Sequence, residues 1–299
     1  MRLLAATGEA IAVVEDGRAR DTLIEGAPRC VAAGDGVAIA GGRGGVWISG
    51  DGGERWRDAR LPARDVYSVA VGPDGTLYAG TEPSALFADR GDGWRELAAL
   101  RELPSAPTWS FPPRPWTSHV RWIAPSPHDP KLLLVGIELG GLMRSADGGE
   151  TWEDHRPGAQ RDVHSLAWHP AERGRAYEAG GGGAAWSADG GETWRAADDG
   201  RDRHYTWSVA PDPTDPDRWY VSASTGPFAA HGRGNAQARV YRWEGDGPWR
   251  QVGGDYASMP YALLHLDGRL VIGCADGRIL VDDEELASVP SVLALAAPR

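Results

Sequence analysis

Glu82 and Glu138 hold the same place in two stretches that align with one another, LYAGTEPSALF and LLVGIELGGLM, and Arg43 holds it in a third, AIAGGRGGVW. Two carboxyls brought together can divide general acid and general base work, provided their surroundings drive their pKa values apart. On this reading Glu138 is the acid, Glu82 the base, and His164 a proton shuttle, because imidazole titrates near neutrality. Arg43 and Arg121 would hold anionic groups of a ligand, or else neutralise the two glutamates. Tyr67, His119, His204 and Trp207 start other strand-like runs, and His231 lies in the insertion GPFAAHGRGNAQA. With Trp109 and Trp116, from the Pro-rich stretch PSAPTWSFPPRPWT, they would supply the polar groups and aromatic walls of a small-molecule pocket. The two tryptophans either stack on a ring as a lid or only pin their loop. His119, His164 and His204 could converge on a divalent metal. The alignment sets His164 opposite Arg121 rather than His119, so the three would not form one symmetric ring. No other cofactor is implied.

These residues lie far apart in the chain, and repeated modules must bring them together. SGDGGERW (Ser49–Trp56), SADGGETW (Ser145–Trp152) and SADGGETW (Ser187–Trp194) recur, the last two 42 residues apart. That period suits a four-stranded propeller blade. In each copy the Asp can accept backbone N–H groups of its own turn, the glycines supply positive φ, and the Trp anchors the hairpin. Degenerate copies occur at ADRGDGWREL and WEGDGPWRQV. Between the turns, runs of alternating β-branched and aromatic residues bounded by Gly, Pro and Asp read as strands, and nothing long has helical periodicity. The expectation is an all-β, seven-bladed β-propeller forming a single domain. Its blades would span about 27–64, 65–103, 118–161, 162–202, 203–255 and 256–288, and residues 289–299 would join 1–26 as the seventh. That closure removes exposed sheet edges. In such a blade the loop before the inner strand and the hairpin between strands two and three share one face, while the Asp-bearing turns lie on the other. The first face is therefore the working face.

The repeats resemble the Asp-box (BNR) family, which includes sialidases, sortilin-type receptors, xyloglucan hydrolases and the propeller that assists photosystem II assembly. The resemblance covers essentially the whole chain and implies the propeller fold. It also implies that Asp51, Asp147 and Asp189 are structural residues of rim turns, away from any site. The sialidase Arg-Ile-Pro signature is absent, its nearest stretch being Arg121-Trp-Ile-Ala-Pro. Xyloglucan hydrolases have two propellers around a cleft, whereas one is read here.

Bulk properties narrow the partners. The formal charge of −11 disfavours nucleic acid and anionic membrane surfaces. No apolar run approaches the roughly 18 residues of a membrane helix, and the opening residues MRLLAATGEAIAVVEDG enter strand alternation without a signal-peptide core. Cys30 and Cys274, each within a strand-like run, read as buried hydrophobes. Glu178, also inside a strand, is expected to pair with an arginine between blades, and His128, His169 and His265 to be surface or capping residues. A cytoplasmic protein acting on a small-molecule substrate or ligand is the resulting expectation. Three readings remain. The first is a sialidase-like enzyme of glycosyl hydrolase or lyase type, with a closed pocket and a carboxyl of raised pKa. The second is a non-catalytic binding or assembly propeller with an open, solvated face. The third is a metal-dependent lyase or hydrolase using the clustered histidines.

Overall fold

Short runs of small and β-branched residues, cut by Gly-, Asp- and Pro-bearing turns, form antiparallel strands throughout the chain. The structure is a computed structural model and describes residues 1–111 and 117–298. It is an all-β, seven-bladed β-propeller. The first blade comprises Pro28–Gly34, Val37–Gly42, Gly45–Ser49 and Arg57–Asp58, and the second Val66–Val71, Leu77–Thr81, Leu86–Asp89 and Trp94–Glu96. The third has three strands, Val120–Ser126, Asp129–Ile137 and Gly141–Ser145, and a single bridge from Arg144 to Glu153 stands where a fourth would run. The fourth begins at Val163–Trp168, the fifth at Tyr205–Asp212 and the sixth at Pro260–Leu266, each four-stranded. The closing blade joins the two ends of the chain. Ala294–Ala296 is its innermost strand and pairs with Arg2–Ala6, followed by Ile11–Glu15 and Arg18–Leu23. Each innermost strand packs on that of the next blade, and Ala294–Ala296 packs on Pro28–Gly34, so the ring closes on itself.

The apolar residues are shared between blades rather than gathered at one centre. Seven buried clusters each straddle one junction. Cys30, Ile39 and Ile48 of the first blade, for example, meet Val66, Val69 and Leu77 of the second. The last junction is as full as the others, with Leu3, Ala5 and Val14 against Val271, Ile279 and Val281. Burial on this scale, about 25 cal/mol per Å² of apolar surface, holds the blades together without inter-blade ladders. Both cysteines are buried and unpaired, and burial pushes each thiol up to about 12. Among the described residues no helix is long and apolar enough to cross a membrane.

The three repeated turns share one geometry. Ser49, Ser145 and Ser187 each hydrogen-bond an Asp two residues on, and each hydroxyl oxygen accepts the N–H of the glycine four residues on, at 2.8–3.0 Å. The Trp indole N–H donates to a carbonyl within the same turn. In ADRGDGW, Asp89 substitutes for the serine and accepts the N–H of Gly91 and Gly93. All these turns come directly after the third strand of a blade. At the opposite end, the hairpin between strands two and three bonds the loop entering strand one: Glu82 N–H to Asp65 O at 3.0 Å and Gly181 N–H to Asp162 O at 2.8 Å. The two sets of loops thus occupy opposite faces.

Candidate functional site

The innermost strands of six blades break register near their start, on the hairpin face. Pairing skips from Pro28 to Cys30, Val66 to Ser68, Val120 to Trp122, Val163 to Ser165, Thr206 to Val209 and Pro260 to Ala262. A bulge leaves one residue out of the ladder and re-aims its side chain. Here the freed residues are Arg29, Tyr67, Arg121, His164, Trp207 with Ser208 after it, and Tyr261. They pack around the axial mouth. The Arg29 guanidinium sits 4.3 Å from the Tyr67 ring centre and that of Arg121 4.8 Å from Trp207. Trp207 also lies 4.4 Å from the His164 ring and 5.1 Å from Tyr261. Two places earlier in register than the freed residue stand Asp65, His119, Asp162 and Tyr205, and the second-strand ends contribute Glu82 and Glu138.

His119 is the centre of this arrangement, 2% exposed. Its Nε2 lies 2.6 Å from Glu138 Oε2, and its Nδ1 lies 3.2 Å from Glu82 Oε2, an ion-pair distance off the hydrogen-bonding direction. Tyr67 stacks on the imidazole at 4.1 Å and Phe111 meets it edge-on at 5.3 Å. Arg121 Nε is 3.4 Å from the same Glu138 oxygen. Burial pushes the Glu138 carboxyl up, but the His119 hydrogen bond and the Arg121 charge outweigh it and hold the group at about 2. Glu138 is therefore an anion at any ordinary pH, which suits a base or a charge partner and not the acid it was expected to be. Beyond Trp207, His231 bridges Tyr261 Oη at 2.9 Å and Tyr205 Oη at 3.3 Å, and burial lowers its pKa. A cavity of about 450 Å³, lined by Asp65, Thr81, Glu82, Ser84 and Phe87 among others, opens beside the cluster and meets it only through Glu82 and Asp65.

Of the expected residues, Glu82, Glu138, His164, Arg121, Tyr67, His119, Trp207 and His231 converge. Arg43 does not: it is exposed at a hairpin tip between glycines and makes no hydrogen bond or ion pair among the described residues. Arg29, from the bulge of the same blade, supplies the guanidinium instead. His204 is exposed, because the register gives the position beside the mouth to Tyr205 one residue later. The three-histidine metal set is consequently not assembled. Trp109 is no lid, since it is buried among Leu100, Leu103 and Ile137 with its indole N–H on Ser105 Oγ at 2.9 Å, pinning its loop. Trp116 lies outside the described residues. Glu178 has no arginine partner among the described residues; its Oε2 accepts only the Gln160 N–H at 3.0 Å. His169 does cap a turn, its Nδ1 accepting the N–H of Glu172 at 2.7 Å, but it is buried.

Arg29, Asp162, Tyr205 and Tyr261 were not singled out from sequence. One signal for Asp162 existed: Arg64-Asp-Val-Tyr-Ser and Arg161-Asp-Val-His-Ser repeat, which aligns Asp162 with Asp65 and His164 with Tyr67.

No family model matches the chain. A curated relative, the vacuolar protein sorting/targeting protein 10 of Emericella nidulans, is 30% identical over 106 residues, which is 35% of this chain and 6% of that protein. Among solved structures, the GH74 xyloglucanase of Xanthomonas campestris superposes with a TM-score of 0.69 at 16% identity, over 99% of this chain and 52% of that one. This chain thus spans about half the xyloglucanase. YCF48 from Cyanidioschyzon merolae superposes with a TM-score of 0.63 at 16% identity, over 93% of this chain and 90% of that one. A structure of YCF48 bound to D1 peptide gives 0.50 at 13% identity, over 74% and 65%. At these identities the likeness is one of fold.

Proposed function

We propose that the axial mouth binds a small polar, sugar-like ligand and acts on it by proton transfer, in the manner of a glycosyl hydrolase or lyase. The observation that supports this reading is the seating of His119, buried with a carboxylate facing each imidazole nitrogen. Such an imidazole can take up a proton and hold it without leaving an uncompensated charge in a low-dielectric place. In this assignment Glu82, at the cavity edge, exchanges a proton with the ligand, His119 stands beside it to hold that proton as imidazolium, and Glu138 stays ionised to balance the charge. Arg121 orients polar groups of the ligand, with the buried His164 packed behind Trp207. Tyr67, Trp207 and His231 wall it. GH74 enzymes with this fold make a glycan a natural first substrate class to test. The two buried, unpaired cysteines support a cytoplasmic setting.

The test is a panel of chromogenic aryl glycosides offered to the native protein and to Glu82→Gln and His119→Gln. Turnover should fall by about 10²- to 10⁴-fold in each variant, with unchanged circular dichroism. Undiminished turnover in either variant removes it from the chemistry. A second reading, a non-catalytic assembly propeller that grips a peptide, is favoured by one observation: YCF48 matches this chain nearly end to end, as a single propeller. Absence of turnover across the panel, together with peptide capture that neither variant alters, would establish that reading in its place.

A further inference from the structure

Glu138 ends the second strand of the third blade, and Asp162 and His164 lead into the fourth. One oxygen from each carboxylate and one imidazole nitrogen lie within 4.8 Å of one another. His164 is fully buried, and its Nδ1 lies 2.6 Å from the Thr206 carbonyl oxygen. A carbonyl only accepts, so Nδ1 donates to it, and the other ring nitrogen, Nε2, is left to face the carboxylates. Across that gap Nε2 meets Tyr205 Oη at 3.4 Å and Asp162 Oδ1 at 3.5 Å, both longer than a well-made hydrogen bond. The place for the Asp162 carboxylate is kept by a glycine: a Cβ on Gly181 would lie 2.0 Å from Asp162 Oδ2. Glu138 is held in place by His119 and Arg121, which both contact its Oε2.

We propose that Glu138, Asp162 and His164 form a binding site for a divalent first-row cation of the Mn²⁺ or Zn²⁺ class. An imidazole whose other nitrogen is tied to a backbone carbonyl, and a carboxylate whose second contact is a hydrogen-bond donor, are the supports that orient metal ligands. Two carboxylate oxygens and one imidazole nitrogen suit borderline cations better than the all-oxygen preference of Mg²⁺ or Ca²⁺. Bonds of about 2.1 Å put donors about 3 Å apart at right angles and about 4.2 Å apart when opposite, so the present spacing needs only a modest inward rotation. Asp162, 24% exposed in its side chain, marks the open side. Three protein donors would leave further positions for a ligand oxygen, as in sites that bind and polarise substrates rather than purely structural ones.

This inference rests on the mouth being the working site, but its test is independent of turnover. The full chain, stripped with chelator and dialysed, is titrated with MnCl₂ under electron paramagnetic resonance and with ZnCl₂ by calorimetry. One ion per chain is expected, and Asp162→Asn should weaken binding at least tenfold without altering the unfolding midpoint by more than a few degrees. His164→Gln should do the same, and since that side chain is buried, Asp162→Asn is the deciding variant. No ion bound by the native protein, or equal affinity in Asp162→Asn, overturns the proposal. If neither ion binds while Glu82→Gln and His119→Gln still abolish turnover, the cation site alone falls. If one ion binds and those two variants change nothing, the proton-transfer reading falls and the cation site stands.

Discussion

Glu178 shows how much the surroundings of a single carboxyl decide. Its cross-strand neighbours are Leu166 and Ala185, it is fully buried, and among the described residues its one hydrogen bond comes from the Gln160 N–H. Burial raises its pKa from the ordinary 4.5 to about 8, with that N–H lowering it only in part. Below 4.5 the folded and unfolded chains are both protonated at this site and it has no effect on the pH dependence. Between 4.5 and about 8 the unfolded chain ionises it and the folded chain does not, so stability falls as pH rises, by up to about 1.4 kcal/mol per unit. Urea unfolding of the native protein should therefore show a declining midpoint across that window, and Glu178→Gln should flatten the decline. Identical pH profiles would mean that Glu178 is ionised in the fold after all. Residue type alone suggested an ion pair here. What decides the matter is which face of the strand looks into an apolar junction, and a one-residue change of register reverses that.

At the scale of the element, the bulge explains both what was legible and what was not. Tyr67, Arg121, His164 and Trp207 stand out in sequence because each is a polar or aromatic residue at the start of an otherwise apolar inner strand, and all four are the residues freed by register breaks. Arg29 and Tyr261 occupy the same place but sit next to Pro28 and Pro260, which blurs where the strand begins. Arg43 and His204 were misplaced for the same reason, since loop tips and strand starts differ by one or two residues that only the ladder fixes. Two predictions belong here. Gly181→Ala puts a Cβ where the Asp162 carboxylate lies, so Mn²⁺ affinity should drop severalfold with no site side chain removed, as read by the same titration. Ser145→Ala deletes the acceptor for the buried Gly149 N–H, at 2.8 Å, and should cost about 1–3 kcal/mol, seen by calorimetry as a midpoint lowered by several degrees with ligand binding intact. A larger loss of binding than of stability would tie that rim turn to the mouth.

For the molecule as a whole, the ring was readable because its modules announce themselves every forty-odd residues and because leftover strands at both ends called for each other. The mouth was only half readable, because it is made where blades meet and no single module contains it. Removing residues 294–299 should strip the innermost strand from the closing blade, uncover the Arg2–Ala6 edge and leave Leu295 and Ala296 missing from two junctions. Unfolding should become broader and begin at lower temperature, and light scattering should detect self-association through the bared edge; a sharp, unshifted transition would show that the closure contributes little. The adjacency of first and last strands has one more consequence. A gene re-cut between two other blades, with a short linker sewn across the old junction, would trace the same circle from a different starting point. The architecture is indifferent to which blade carries the break in the chain.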